Sequence, residues 1–199
     1  MKKQGNPNDP GATSGLRLLL CDATGKACGM SSLDEAWVSS PIQCFDNAVD
    51  MNPELIAVRF GQMPVGDSGI LVELITALKR NSHTRRRPVL ALLHSKHRKL
   101  LEEIHLAGAD LVRYVGETML DPPRLNQIID GLNPDDRLAA HLAVICRFLH
   151  YNSMDSRHEL IVCGAYLDRM VLGGDRLHQL CETEDHRQCE YFLNPRLNS

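Results

Sequence analysis

The chain has 199 residues, of which 43% are hydrophobic and 24% are charged, and its formal net charge is −3. These values resemble those of globular proteins and exclude a disordered or strongly basic chain. No apolar run approaches the roughly 18 residues that cross a bilayer, and the polar start lacks a signal-peptide core. We therefore expect a cytoplasmic protein that is not in the membrane, with a flexible tail at residues 1–15.

Short apolar runs alternate with amphipathic stretches from residue 16 to residue 132. Helices are predicted to start at Ser31 or Ser32, at Asp67 or Ser68, at residue 96 and near Pro123. The helix after residue 67 carries an apolar stripe of Ile70, Leu71, Leu74, Ile75 and Leu78. The predicted strands are LRLLLC, IQCF, LIAVRF, VLALLH and LVRYV. This alternation predicts an α/β fold with a doubly wound, five-stranded parallel sheet covered on both faces.

Four short patterns occur in the order found in one family of signalling domains. They are the PELI strand, the MP…G turn, the R…PV entry to the fourth strand and the AGAD turn before the fifth. Through them, residues 16–132 resemble the receiver domain of bacterial response regulators. The resemblance implies a receiver-like fold and a role in two-component signalling, with a phosphoacceptor aspartate at the end of the third strand.

The position of the phosphoacceptor departs from the family pattern. It falls on Arg59, or on Val58 or Phe60 if the register slips by one residue. None of these residues is a carboxylate. The alternative is a misaligned third strand, with Asp67 or Asp46 as the acceptor.

The other receiver positions are also altered. The acidic group that holds Mg²⁺ in the family is reduced to Asp22, and the lysine position falls near Val115. The hydroxyl position falls near Leu93 or His94, with Ser95 just beyond. Transfer of a phosphoryl group to aspartate needs a carboxylate nucleophile and a divalent cation. We therefore predict a degenerate receiver site at Asp22, Arg59 and His94, with no catalytic residues and no enzymatic activity.

A basic window extends from Lys79 to Lys99 and contains no carboxylate, so it carries a charge of +8 while the rest of the chain carries about −11. It is either a solvated face or a docking surface for a regulatory protein with an acidic surface. Nucleic acid is not the expected partner, because aromatic residues are only 5% of the chain and no helix-turn-helix follows. The predicted docking residues are Arg80, Arg85, Arg86, Arg87, Lys96, Arg98 and Lys99.

Residues 133–199 are predicted to form a small α+β C-terminal module that begins with a helix at 135–153. Leu138, Leu142, Ile145 and Leu149 recur at helical spacing, and Cys146 widens their apolar stripe. Such a stripe must be buried, either on the rest of the module or in a homodimer. HELIVCGAY and DRMVLGG are predicted to be two strands, and DRLHQLCET one or two helical turns.

Seven cysteines in a chain without a secretion signal argue against a disulfide framework. Cys21, Cys28 and Cys44 are expected to pack as small apolar residues in the sheet. In the C-terminal module, Cys163, Cys181, His186 and Cys189 could bind zinc. As the sharper alternative, the three cysteines together with His178, His186 or a fourth thiol could hold an iron–sulfur cluster. The equally open alternative is that these thiols pack in the core without a cofactor.

These observations predict a non-catalytic signalling adaptor, a bacterial regulator that binds a protein partner through a receiver-like domain unable to accept phosphate. The competing prediction is a redox sensor that depends on a metal or an iron–sulfur cluster in the C-terminal module.

Overall fold

The computed structural model describes residues 17–24, 35–61, 68–116, 119–155 and 158–197. Five parallel strands form one sheet in the order β2-β1-β3-β4-β5. The predicted α/β fold with a doubly wound parallel sheet is therefore confirmed, whereas the predicted flexible tail at 1–15 lies outside the described residues. The strands are β1 (Leu18–Asp22), β2 (Glu35–Val38), β3 (Leu55–Arg59), β4 (Val89–Leu93) and β5 (Leu111–Tyr114).

The three central strands are buried along their whole length, as their continuous apolar sequences predict. Alternate residues of each strand enter two different apolar clusters, so that Leu19 and Cys21 face one side of the sheet and Leu18 and Leu20 face the other. This alternation follows from the two-residue period of a strand. Each face of the sheet is therefore covered by its own layer of packing.

Four helices follow the strands of this receiver-like domain. One prediction here was wrong: IQCF lies in a helix, and the preceding EAWV is the strand β2. Pro41 begins that helix and Cys44 and Ala48 bury one face of it, which is the usual role of a proline in a first turn. The predicted helix start at Ser31 or Ser32 lies outside the described residues. The helices are α1 (Pro41–Met51), α2 (Gly69–Arg80), α3 (Arg98–Leu106) and α4 (Pro122–Asp130).

The apolar stripe of α2 is confirmed except at its first residue. Leu71, Leu74, Ile75 and Leu78 are buried, but Ile70 is 57% exposed. It precedes the buried stripe by one position and is therefore rotated about 100° away from it toward solvent.

The C-terminal module starts with a short helical turn and a helix of only seven residues, so the predicted helix at 135–153 is wrong. Its second half is a strand, because HYNS pairs in antiparallel register with the strand that ends at Cys163. The homodimer predicted through that long helix loses its basis. The module contains the turn Pro134–Asp136, α5 (Leu138–Val144), β6 (Leu149–Ser153), β7 (Glu159–Cys163), a π-helical turn (Arg176–Cys181), a 3-10 turn (Glu184–Gln188) and α6 (Glu190–Leu193).

The predicted strand DRMVLGG contributes only an isolated bridge between Val171 and Val162. The module packs against α3 and β5, and its buried residues join the apolar cluster on one face of the five-stranded sheet. No helix among the described residues is both long and apolar enough to span a membrane.

Candidate functional site

The carboxyl edge of the sheet carries a buried ion pair where the receiver site was predicted. Asp22 ends β1 and Arg59 ends β3, and the two residues are direct partners in the parallel register. Their side chains meet at 2.8 Å between Arg59 Nη1 and Asp22 Oδ2. Asp22 is 2% exposed and Arg59 is 3% exposed, so this pair is shielded from solvent.

The second carboxylate oxygen of Asp22 is also occupied within the chain. Asp22 Oδ1 accepts hydrogen bonds from the Thr24 backbone N–H at 2.9 Å and from the Thr24 hydroxyl at 2.5 Å. Hydrogen bonds to an ionised group and a guanidinium partner both offset the desolvation of a buried carboxylate. The aspartate therefore has its charge and both oxygens satisfied by neighbouring residues.

The other predicted receiver positions lie at different places in the fold. His94 directly follows β4 at the same edge and is half-buried, and Val115 is buried after β5. Asp46 lies on α1 and is exposed, so it is not at the edge where β3 ends. Asp67 lies outside the described residues. Sequence reasoning thus identified Asp22, Arg59 and His94 as residues of one edge, and the structure brings Asp22 and Arg59 into contact.

The predicted basic surface is divided between the two edges of the sheet. Arg80, the last residue of α2, and Arg85 and Arg86 of the following loop are exposed around the α2–β4 connection, where strands begin, whereas Lys99 is exposed on α3, beyond the end of β4. The five residues of β4 separate these loops by about 16 Å. The seven predicted docking residues therefore do not form one continuous surface.

Two of those residues are used for contacts inside the molecule, which corrects their prediction as docking residues. Lys96 Nζ donates to the Glu182 carbonyl at 3.2 Å, and Arg98 donates to the carbonyls of Leu142 and Ile145. The C-terminal module covers this part of α3 because its carbonyl groups provide acceptors for these cations.

A third predicted docking residue, Arg87, is partly engaged in hydrogen bonds within the chain. Arg87 donates to Asn52 Oδ1 at 2.7 and 3.0 Å. The neighbouring Lys79 forms an ion pair with Asp110 at 2.6 Å. The exposed cations of the α2–β4 loop are therefore Arg80, Arg85 and Arg86.

The predicted Cys/His metal set is not assembled as a mononuclear site. Among the described residues, no group of three or more His, Cys, Asp and Glu is placed so that it could hold a metal ion. His186 is 4% exposed, its Nδ1 lies 2.6 Å from the Thr183 carbonyl, and its ring packs edge-on against Phe192. His178 Nδ1 lies 3.0 Å from Glu182 Oε2. These local partners hold the two imidazoles in structural roles, which corrects the prediction of His186 as a ligand.

Comparisons with known proteins bear on the fold alone. No protein-family model matches the chain, and no curated protein matches it. One similar solved structure is a response regulator from Desulfuromonas acetoxidans, at 22% identity and a TM-score of 0.37, covering 59% of this chain and 98% of that one. Independently of that likeness, the strand order 2-1-3-4-5 is that of flavodoxin-like sheets, which include receivers. The sheet domain therefore has the flavodoxin-like strand order that receivers share, and it is called receiver-like in this sense.

A cavity of about 570 Å³ lies between the receiver-like domain and the C-terminal module. Tyr114 and His141 line it, and neither the Tyr114 hydroxyl nor His141 Nε2 has a hydrogen-bond partner among the described residues. Burial raises the pKa of Tyr114 and lowers the pKa of His141, and both shifts favour the neutral form.

The sequence analysis did not place Cys146 beside another cysteine of the C-terminal module. It was assigned to an apolar helix stripe, but it follows α5 and lies beside Cys181, whose carbonyl accepts the Cys146 backbone N–H at 2.8 Å. No spacing motif marked it, since 16 residues separate Cys146 from Cys163 and 17 separate Cys163 from Cys181.

Proposed function

We propose that the receiver-like domain is a non-catalytic adaptor of a signalling pathway, which binds a regulatory protein and does not accept a phosphoryl group. The observation that carries this proposal is the buried ion pair between Asp22 and Arg59. Formation of an acyl phosphate needs an accessible carboxylate and a divalent cation beside it. At this edge the cation is a guanidinium, which keeps its charge at any relevant pH and offers no nucleophile.

Binding of Mg²⁺ at Asp22 would require the carboxylate to leave Arg59 and Thr24. Removing one member of a buried pair leaves the other charge without compensation and costs several kcal/mol, about 3–5. The same free-energy cost opposes a conformational switch in which Asp22 and Arg59 separate. The adaptor is therefore expected to present one constant surface to its partner.

The surface proposed for the partner is the α2–β4 loop. Arg80, Arg85 and Arg86 are exposed there, and none of them forms an ion pair with a carboxylate in the part of the chain that the structure describes. Clustered, uncompensated cations attract a complementary acidic surface and accelerate its association. A regulatory protein with an acidic patch fits this chemistry.

Phosphorylation is tested by incubating the full chain with acetyl phosphate and Mg²⁺ and recording the mass of the intact protein. The expected result is no added phosphoryl group, under conditions in which an active receiver protein is labelled. A phosphoaspartate in the wild-type chain, located by borohydride reduction and peptide mapping, would overturn the proposal.

The docking surface is tested with a fluorescent polyglutamate peptide and a DNA duplex of equal charge as probes. Arg85→Glu/Arg86→Glu is expected to weaken peptide binding at least tenfold at low salt. Arg124→Glu/Arg169→Glu reverses two other exposed cations and is the matched control, for which less than a twofold change is expected. Equal losses in both variants, or a preference for the duplex, would contradict a protein-docking loop.

A further inference from the structure

The cavity between the receiver-like domain and the C-terminal module lies at the carboxyl edge of the sheet. Tyr114 is the last residue of β5, and Lys96 lies between β4 and α3, so both belong to that edge. His141 of α5 and Glu182, which follows the π-helical turn, line the cavity from the module side. Ligands of open α/β sheets bind outside the carboxyl ends of the strands. The volume of about 570 Å³ lies within the roughly 300–1,000 Å³ that is usual for small-molecule sites.

Two buried hydrogen-bonding atoms at this cavity have no partner in the part of the chain that the structure describes. They are the Tyr114 hydroxyl and His141 Nε2. The two rings meet edge to face with their centroids 5.3 Å apart, and the two polar atoms do not bond to each other. A buried polar group without a partner is destabilising, and nearly all such groups in folded proteins are satisfied. A molecule in the cavity that offers hydrogen-bonding groups would satisfy both atoms.

One wall of the cavity is apolar. Ala140 and Val144 of α5 line it together with Ile145, which follows the helix. Water is able to satisfy the Tyr114 hydroxyl and His141 Nε2, but it gains nothing from aliphatic side chains. An organic molecule with both a polar and an apolar part gains from both kinds of lining. The cavity therefore suits an organic ligand better than water alone.

The charged side chains around the cavity have opposite signs but do not pair with one another. Lys96 Nζ donates to the Glu182 carbonyl at 3.2 Å and forms no ion pair with a carboxylate of the described residues. Asp135 and Glu184 line the cavity and are exposed, which places them at its mouth, and they form no ion pair within the described ranges either. A ligand with an anionic and a cationic group complements this separation of charges.

We propose that the cavity binds a small zwitterion of the amino-acid class with an apolar side chain. The ligand carboxylate lies at Lys96, and its ammonium group lies between Asp135 and Glu184. The Tyr114 hydroxyl and His141 Nε2 hydrogen-bond to the polar groups of the ligand, and its side chain packs against α5. The inference goes beyond the adaptor role, because this cavity is separate from the α2–β4 loop.

The chemical class is tested by titrating the full chain with leucine, methionine and phenylalanine in a calorimeter. The matched ligands are the corresponding 2-oxo acids, which lack the ammonium group, and the amino-acid amides, which lack the carboxylate. At least one amino acid is expected to bind, and its 2-oxo acid and its amide should bind at least about tenfold more weakly, because each leaves one charge of the cavity without a partner. A cavity that holds water alone would bind none of the amino acids. That result, or equal binding of the 2-oxo acid or the amide, would overturn the proposal.

The place of binding is tested with variants of the cavity lining. Tyr114→Phe deletes only the hydroxyl and should weaken binding about fivefold. Ala140→Phe fills the space beside α5 and should abolish binding, and its thermal unfolding shows whether it is folded. Tyr166→Phe is the matched control, because Tyr166 packs on Tyr191 and does not line the cavity. Wild-type affinity in Tyr114→Phe, or in folded Ala140→Phe, would overturn this site.

The ammonium contact is tested at the mouth of the cavity. Asp135→Asn/Glu184→Gln removes two exposed carboxylates and should weaken binding of the amino acid about fivefold at low salt, with no such loss for its 2-oxo acid. Asp46→Asn/Glu54→Gln removes two exposed carboxylates that do not line the cavity and should bind as the wild type does. Equal affinities in the two variants would overturn the zwitterion assignment. The polyglutamate probe reports on the α2–β4 loop, so failure here leaves the adaptor proposal intact.

Discussion

The sheet edge of the receiver-like domain and the buried cysteines of the C-terminal module are both buried polar sites, but they satisfy their polar groups differently. Asp22 has a guanidinium at 2.8 Å and two donors from Thr24, so its charge is complete within the chain. Cys146, Cys163 and Cys181 instead lie in the apolar core. The first site holds a charge that the chain itself balances, whereas burial raises the pKa of these three thiols and favours their neutral form.

The buried cysteines of the receiver-like domain pair with each other. Cys21 and Cys44 share one hydrogen bond between their thiols, which lowers the pKa of Cys21 and raises the pKa of Cys44. They lie in a core of aliphatic side chains from strands and helices, where a thiol packs as a small apolar group. Cys28 lies outside the described residues.

The largest expected effect is at the ion pair. Arg59→Met leaves the Asp22 carboxylate buried without its partner and should lower the free energy of unfolding by about 3–5 kcal/mol. Denaturation with guanidinium chloride measures this loss in the free energy of unfolding. The matched control is Arg17→Ala, which removes an ion pair to Asp130 that is more than half exposed and should cost less than about 1 kcal/mol.

The double variant Asp22→Leu/Arg59→Met removes both charges. Replacing a buried pair by apolar residues is close to neutral in free energy, so this variant should recover most of the loss. If Arg59→Met costs no more than Arg17→Ala, the edge is open to solvent and could bind a cation. The conclusion that the chain itself balances the charge of Asp22 would then be wrong.

A smaller effect is expected where the two halves meet. Arg98→Ala removes the guanidinium that donates to the carbonyls of Leu142 and Ile145 at the end of α5, and should cost about 2 kcal/mol. Limited proteolysis should then cut first within the C-terminal module. Lys99→Ala, which changes an exposed cation one residue further along α3, is the control and should change neither measurement. Equal behaviour of the two variants would show that Arg98 does not hold the module.

The smallest effect is a pH dependence from His141. Burial lowers its pKa in the folded state, so protons bind the unfolded state more readily. The free energy of unfolding should therefore fall slightly as the pH drops below the unfolded pKa of about 6.5. His141→Gln should flatten that slope in urea denaturation between neutral and mildly acidic pH. His83 is exposed, so His83→Gln is the control and should leave the slope unchanged. An unchanged slope in His141→Gln would assign the pH dependence to another group.

Much of the receiver-like domain could be predicted because its strands are local features. β1, β3 and β4 are continuous apolar runs between turns, and Arg59 and Asp22 stand at run ends that a parallel sheet brings to one edge. The exchange of helix and strand between residues 31 and 51 shows the limit. EAWV is too short for a period to be visible, and its pairing with β1 decided its conformation.

The C-terminal module was predicted poorly because its elements depend on distant contacts. The helical spacing from Leu138 to Leu149 is real, but pairing with β7 turns the second half into a strand. Cys146 follows α5 instead of lying in a helix stripe, and its backbone N–H donates to the Cys181 carbonyl. A one-dimensional pattern could not report either contact.

The sequence by itself determined the alternation of strands and helices from β3 to α4, the missing acid at the end of β3 and the absence of a continuous apolar membrane segment. These depend on residue type and short-range periodicity. The tertiary structure decided that Arg59 contacts Asp22, that the C-terminal module covers α3, and that three thiols from separate segments, Cys146, Cys163 and Cys181, share one core. The reason is that charges and thiols gain or lose free energy through neighbours that are tens of residues away along the chain.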